Sequence, residues 1–245
     1  AGKMVTPPPA WIDEFESPRK MRDASEEERK AFQRRQFEKS AELRAWWLTE
    51  MLVTPAPLVE RMTLFWHNHF VSGMQKVRSG PLMYRQNVLL RRHALGNFGE
   101  LLHAVAKDPA MLMYLDSASN RRGQPNENFA REIMELFTMG VGNYSEKDIR
   151  EAARAFTGWN FTNTTFVVNQ DKHDDSEKTV LGQRGAGLPH DERLHFFAQA
   201  IVGHPDHRRQ RHGRMRHQHF FDFARIHVHA AAQHHVLLAV DDGEI

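Results

Sequence analysis

The chain has 245 residues, no cysteine, and a formal net charge of +2 from 33 Lys and Arg against 31 Asp and Glu. That length suits one sizeable domain or two, and an apolar content of 40 % suits a packed core rather than disorder. The composition excludes disulfides, thiolate ligands and a cysteine nucleophile. It gives no basic nucleic-acid footprint, and no apolar run reaches the ~18 residues of a membrane span.

Residues 1–24, with Pro7, Pro8 and Pro9, read as an N-terminal arm lying on the body and pinned by Trp11 and Phe15. Ser25 and Glu28 form a capping box, which predicts a long helix to about Leu52. Its charged first half is expected to face solvent, and its second half to pack through Leu43, Trp46, Trp47 and Met51. Pro55 and Pro57 open the next helix, Leu58–Val71, which is apolar on nearly all sides and is therefore expected to be buried. His67, Asn68 and His69 lie inside it. On a regular helix the two imidazoles point ~200° apart, so they share one metal ion only if the backbone becomes extended there; otherwise one faces a site while the other hydrogen-bonds within the core. Further helices are predicted over Pro81–Leu95, Asn97–Val105 and Pro109–Leu115, the last followed by a polar loop to Pro125.

Asn126–Gly142, NENFAREIMELFTMGVG, organises the rest. Asn126 caps a helix that carries Phe129, Ile133, Met134 and Phe137 inward, and Gly140 is placed to end it in a left-handed cap. Asn128, Arg131, Glu132 and Glu135 share one side at i, i+3, i+4 and i+7. That stripe is either a solvated ion-pair face or the wall of a site. Ser145 caps a further helix, Glu146–Trp159. Phe161–Val168 is the best strand candidate, with Val180 and Leu181 in its partner. Between them DKHDDSEK offers His173 and Asp174 either as cation ligands or as parts of a solvated turn.

From Leu188 onward the chain holds eleven of its sixteen histidines and no lysine. Two explanations are a His-rich metal-binding tail and a GC-rich gene read in a shifted frame. The second is preferred, with the frame lost between about Gln183 and Arg208. The chain thus divides into the arm 1–24, a helical domain 25–187 and a His-rich segment 188–245 of doubtful folding. The fold class is mainly α, a single multi-helix domain with a small β-hairpin and a poorly ordered C-terminal tail.

Five stretches occur in order: RMTLFWHNHFVSG at 61–73, RHALGNFGELLHAVAKDPAMLMYLD at 92–116, NENFAREIMELFTMGVG at 126–142, ARAFTGW at 153–159 and HDDSEKTVLG at 173–182. From about Arg44 to Gly182 they closely resemble the bacterial family catalogued as domain of unknown function 1800 (DUF1800), here as a truncated or frame-shifted member. The resemblance implies a large, often exported protein, periplasmic or secreted, encoded beside a second, sulfatase-like family. No reaction comes with it. The family often has a histidine where this chain has Phe137, in a pattern like ELHTLG, and continues into further helices that residues 188–245 do not match.

Two functional expectations follow. The first is a divalent-cation site for Zn, Mn or Fe, drawing on His67, His69, Glu132, Glu135, His173 and Asp174. Glu132 and Glu135 would serve hydrolysis, with Arg131 holding an anionic group or orienting a glutamate. The second is a non-catalytic exported scaffold that binds the product of a neighbouring gene, its polar motifs fixing helix packing. A sugar-binding surface on Trp66 and Trp159 is a weaker third. There is no serine-nucleophile motif, phosphate-binding glycine loop or dinucleotide fingerprint.

Overall fold

The computed structural model describes residues 4–17, 21 and 23–185. The described residues are mostly helical, with two small antiparallel strand pairs. The His-rich segment lies outside them, as does the interval of the proposed loss of frame beyond Gly185.

Helix α1 (Glu26–Val53) begins on the Ser25–Glu28 capping box. Its first half is not simply a solvent face. Phe32, Gln36 and Lys39 follow one another at helical spacing and are all buried. Its second half buries Trp46 and Glu50. Helix α2 (Pro57–His69) has one buried side only, formed by Val59, Glu60 and Thr63. The expectation of a helix buried all round is corrected here: Leu58 is 59 % exposed, because it shares one side of the helix with Arg61 and Asn68, which keep that side in water.

A short helix, α3 (Met74–Val77), interrupts the next loop. It is followed by α4 (Gly80–His93), α5 (Phe98–Ala106) and α6 (Pro109–Tyr114). Asn97 and Asp108 cap α5 and α6 through their side chains. Helix α7 (Glu127–Met134) starts on the Asn126 cap as predicted. It does not run regularly to Gly140. From Glu135 to Met139 the backbone widens into a π-turn, and Thr138 Oγ1 donates to the carbonyl of Ile133. Gly140 has φ 77 but an extended ψ of 168, so it leaves the helix without forming a left-handed cap.

Helix α8 (Glu146–Ala155) ends before Trp159, which instead opens strand β1 (Trp159–Thr162). A two-residue turn with Asn163 at φ 55 returns the chain as β2 (Thr165–Val168), Trp159 opposite Val168. The single predicted strand is thus a complete hairpin. Val180 belongs to a second pair, β3 (Lys178–Val180) with β4 (Gln183–Gly185).

The main core runs through α5, α6, α7, α8 and β1. Phe129 and Phe156 meet edge to face at 5.1 Å, Phe156 and Trp159 at 4.9 Å, and Phe70 meets Phe137 at 5.2 Å. Gly158 sits at a crossing. Its amide donates to Asn120, its carbonyl accepts from Asn169, and a Cβ there would lie 2.4 Å from the Asn169 oxygen. With φ +81 as well, the position is closed to any other residue.

Candidate functional site

The polar stripe of α7 is built by the helix and the π-turn that follows it. Arg131 forms a fork to Glu146, with its guanidinium nitrogens 2.9 and 2.8 Å from the two carboxylate oxygens. It also reaches Glu127 one turn earlier at 3.1 Å. These pairs fasten α7 to the first turn of α8 and hold Arg131 firmly in its charged form. Glu146 is drawn to the charged side by the same fork.

Glu132 is half-buried, and its carboxylate makes no hydrogen bond or ion pair among the described residues. Burial, and then the charge of Glu135, hold its carboxyl above the usual range. Glu135 opens the π-turn and accepts a hydrogen bond from the Tyr144 hydroxyl. Burial, together with that bond, pushes the Tyr144 phenol up to about 12. Two carboxylates one turn apart therefore have different surroundings, one anchored and one open.

The two α2 histidines diverge. His67 stacks on Trp47 of α1, centroids 5.3 Å apart and planes 10° from parallel. His69 faces the π-turn, with Nε2 3.0 Å from the Phe137 carbonyl and its ring between Trp66, Phe70 and Phe98. The carbonyl is an acceptor, so Nε2 carries the hydrogen. Burial lowers both imidazoles from their ordinary value and keeps them neutral.

His173 and Asp174 follow the β1–β2 hairpin and dock against the other end of α8. His173 is fully buried, Nδ1 2.7 Å from the carbonyl of Thr157 and 3.3 Å from its hydroxyl. Desolvation works against the charged form of Asp174. Bonds from Arg154 Nε at 2.8 Å and from Ser176 overcome it and hold the carboxyl far below the usual range. The backbone amides of Thr179 and Leu181 donate to Glu151 and Asp148 of α8 at 3.0 and 2.7 Å. DKHDDSEK is therefore a docked loop rather than a free turn.

The candidates thus fall into separate neighbourhoods: His67 of α2 against α1, His69 against the π-turn, Arg131 of α7 against the start of α8, and His173 with Asp174 against its end. Among the described residues no three His, Asp or Glu side chains converge as a metal-binding cluster. Tyr144, Thr157 and Arg154 are partners that sequence reading missed. Tyr144 stands nine residues after Glu135, beyond any helical spacing that would have flagged it.

Against this geometry, the family model for proteins of unknown function (DUF1800) matches residues 4–217. The chain belongs to the DUF1800 family. The match is wider than the Arg44–Gly182 stretch that carries the motifs, and it runs past the Gln183–Arg208 interval. Membership thus takes in the arm as well as the helical body. No curated protein and no solved structure matches this DUF1800 chain. Among the described residues no helix is long and apolar enough to cross a membrane.

Proposed function

We propose that this DUF1800 domain is a non-catalytic helical scaffold that binds a partner protein. The carrying observation is a run of exposed aliphatic residues on either side of the α1–α2 turn. Leu48, Leu52, Val53 and Leu58 are 50, 85, 55 and 59 % exposed, on the last turns of one helix and the first turn of the next. Aliphatic side chains left exposed in this way gain by leaving water, at roughly 25 cal/mol per Å² buried. The polar motifs support the same reading, because Arg131, His173 and Asp174 are engaged in fastening one element to another. The family resemblance points to the product of a neighbouring gene as the partner. The test is co-expression with that product, followed by light scattering on the purified mixture. A complex that Leu52→Glu abolishes, with helical content retained, supports the scaffold. A complex indifferent to Leu52→Glu, or none at all, sinks it.

A second reading rests on Glu132. An unpaired carboxyl with raised proton affinity, one turn from an anchored one, suits proton transfer or the binding of a divalent cation such as Zn, Mn or Fe. Glu132 and Glu135 would hold such an ion, which would activate a bound water for hydrolysis. His67, His69, His173 and Asp174 would have to leave their present partners to join them. Elemental analysis of untagged protein separates the readings. Stoichiometric metal that Glu132→Ala removes and His69→Ala weakens would favour the site, and metal insensitive to both would place it elsewhere.

A further inference from the structure

The N-terminal arm sits in a groove between α1 and α4 as a ligand sits in a receptor. Glu50, 1 % exposed, accepts the amides of two consecutive arm residues, Val5 at 3.2 Å and Thr6 at 2.7 Å. Trp46 Nε1 donates to the Thr6 carbonyl at 3.4 Å, and the Trp46 and Tyr84 rings meet at 4.9 Å beside it. Pro9 is buried. Trp11 closes the seat: its Nε1 donates to Glu42 at 2.6 Å, and its ring lies where a Cβ on Gly80 would be 2.7 Å away. Beyond Trp11 the arm turns acidic and the helices basic, pairing Asp13 with Arg85, Glu14 with Lys39 and Glu16 with Arg35 at 2.7, 3.1 and 2.9 Å.

We propose that this groove is a peptide-binding site, with the arm as its resident ligand. The incoming ligand is a proline-rich segment of a partner protein, with an aromatic residue after the prolines and acidic residues after that. Each element of the groove selects one part of that chemistry. Glu50 and Trp46 read main-chain groups that any such segment offers. Prolines lower the entropy lost when the segment is ordered. The slot over Gly80 takes a flat ring, and Arg35, Lys39 and Arg85 match the acidic end. The site is distinct from the aliphatic run at the α1–α2 turn and does not rest on it. A tethered arm competes at an effective concentration on the order of millimolar, so loosening it exposes the site.

The test uses the full chain and a fluorescent peptide with the sequence of residues 4–16, followed by anisotropy. Trp11→Ala, which loosens only the arm, is expected to bind the peptide at least about tenfold more tightly than the unaltered chain. Asp13→Ala removes a single exposed arm contact and gives a smaller gain in the same direction, should Trp11→Ala fail to fold. Adding Gly80→Ala, which places a methyl where the ring must lie, removes the binding. The proposal is overturned by no binding to either arm variant at millimolar peptide, or by binding that Gly80→Ala leaves intact. A dimer of the full chain that the peptide dissolves overturns it too, because the groove would then belong to a second copy.

Discussion

Two arginine–glutamate forks in this molecule share their chemistry and differ in their surroundings. Arg91 of α4 grips Glu60 of α2 with 2.6 and 2.8 Å bonds, both side chains 5 % exposed or less. Asn87, Trp47 and the Trp46 ring complete the enclosure. Arg131 grips Glu146 with 2.9 and 2.8 Å bonds, but with 35 and 62 % of the side chains in water. Water and salt screen the second pair and leave its partners solvated when one is lost. The first pair has no such recourse, since removing one member strands a charge in the interior. Similar fork geometry therefore does not mean equal weight in the fold.

The sharpest way to break this comparison is Glu60→Ala. It should cost about 3–5 kcal/mol in urea unfolding, because Arg91 would be left buried without its carboxylate partner. A loss below ~1 kcal/mol would show that water reaches the pair in solution.

Next in size is a pH effect at Asp108, the fully buried cap of α6, which accepts from Gln86 and the Met111 amide at 2.8 and 3.0 Å. Burial pushes its carboxyl up to about 7, against 3.8 for an exposed aspartate. Between these values the folded chain binds more protons than the unfolded one, so stability falls as pH rises through that window. The fall from pH 5 to 8 should be on the order of 2 kcal/mol. Asp108→Asn, which keeps an acceptor for the cap, should flatten it. An unchanged profile would assign the slope to another group.

Arg154 lies between the two extremes. Arg154→Ala should cost about 1–2 kcal/mol, since Asp174 and Glu151 each lose a charged donor. Asp174 has a lowered carboxyl, so its contribution is present above pH 3.8 and fades as the solution is acidified below that. The variant should therefore lose part of its acid sensitivity in a Tm series. Smallest of all is Arg131→Ala, with an expected change in Tm under about 2 °C. A loss to match Glu60→Ala would erase the contrast.

The same contrast explains what could be read from the sequence. Helical class, the Ser25 capping box and the Asn126 cap were legible because they are local signals, set by spacings of a few residues. The Arg131 stripe was legible for the same reason: it has helical period. Glu60 and Arg91 are separated by 31 residues, and nothing periodic joins them. The π-turn was hidden because ELFTM has no residue that forbids an α-helix; the departure shows only in the backbone and in Thr138 bonding to Ile133. The divergence of His67 and His69 follows from a helix that stays regular through both. Their neighbours, Trp47 and the Phe137 carbonyl, come from distant elements and follow only from the packing.

Gly158 carries one more consequence. The turn at Asn120, the β1–β2 hairpin and the stretch that delivers His173 all meet at that single residue, which admits no side chain. Parts joined through one inflexible crossing cannot come loose one at a time. Amide exchange in those three places should report one common opening event, and a side chain at 158 should release all of them together.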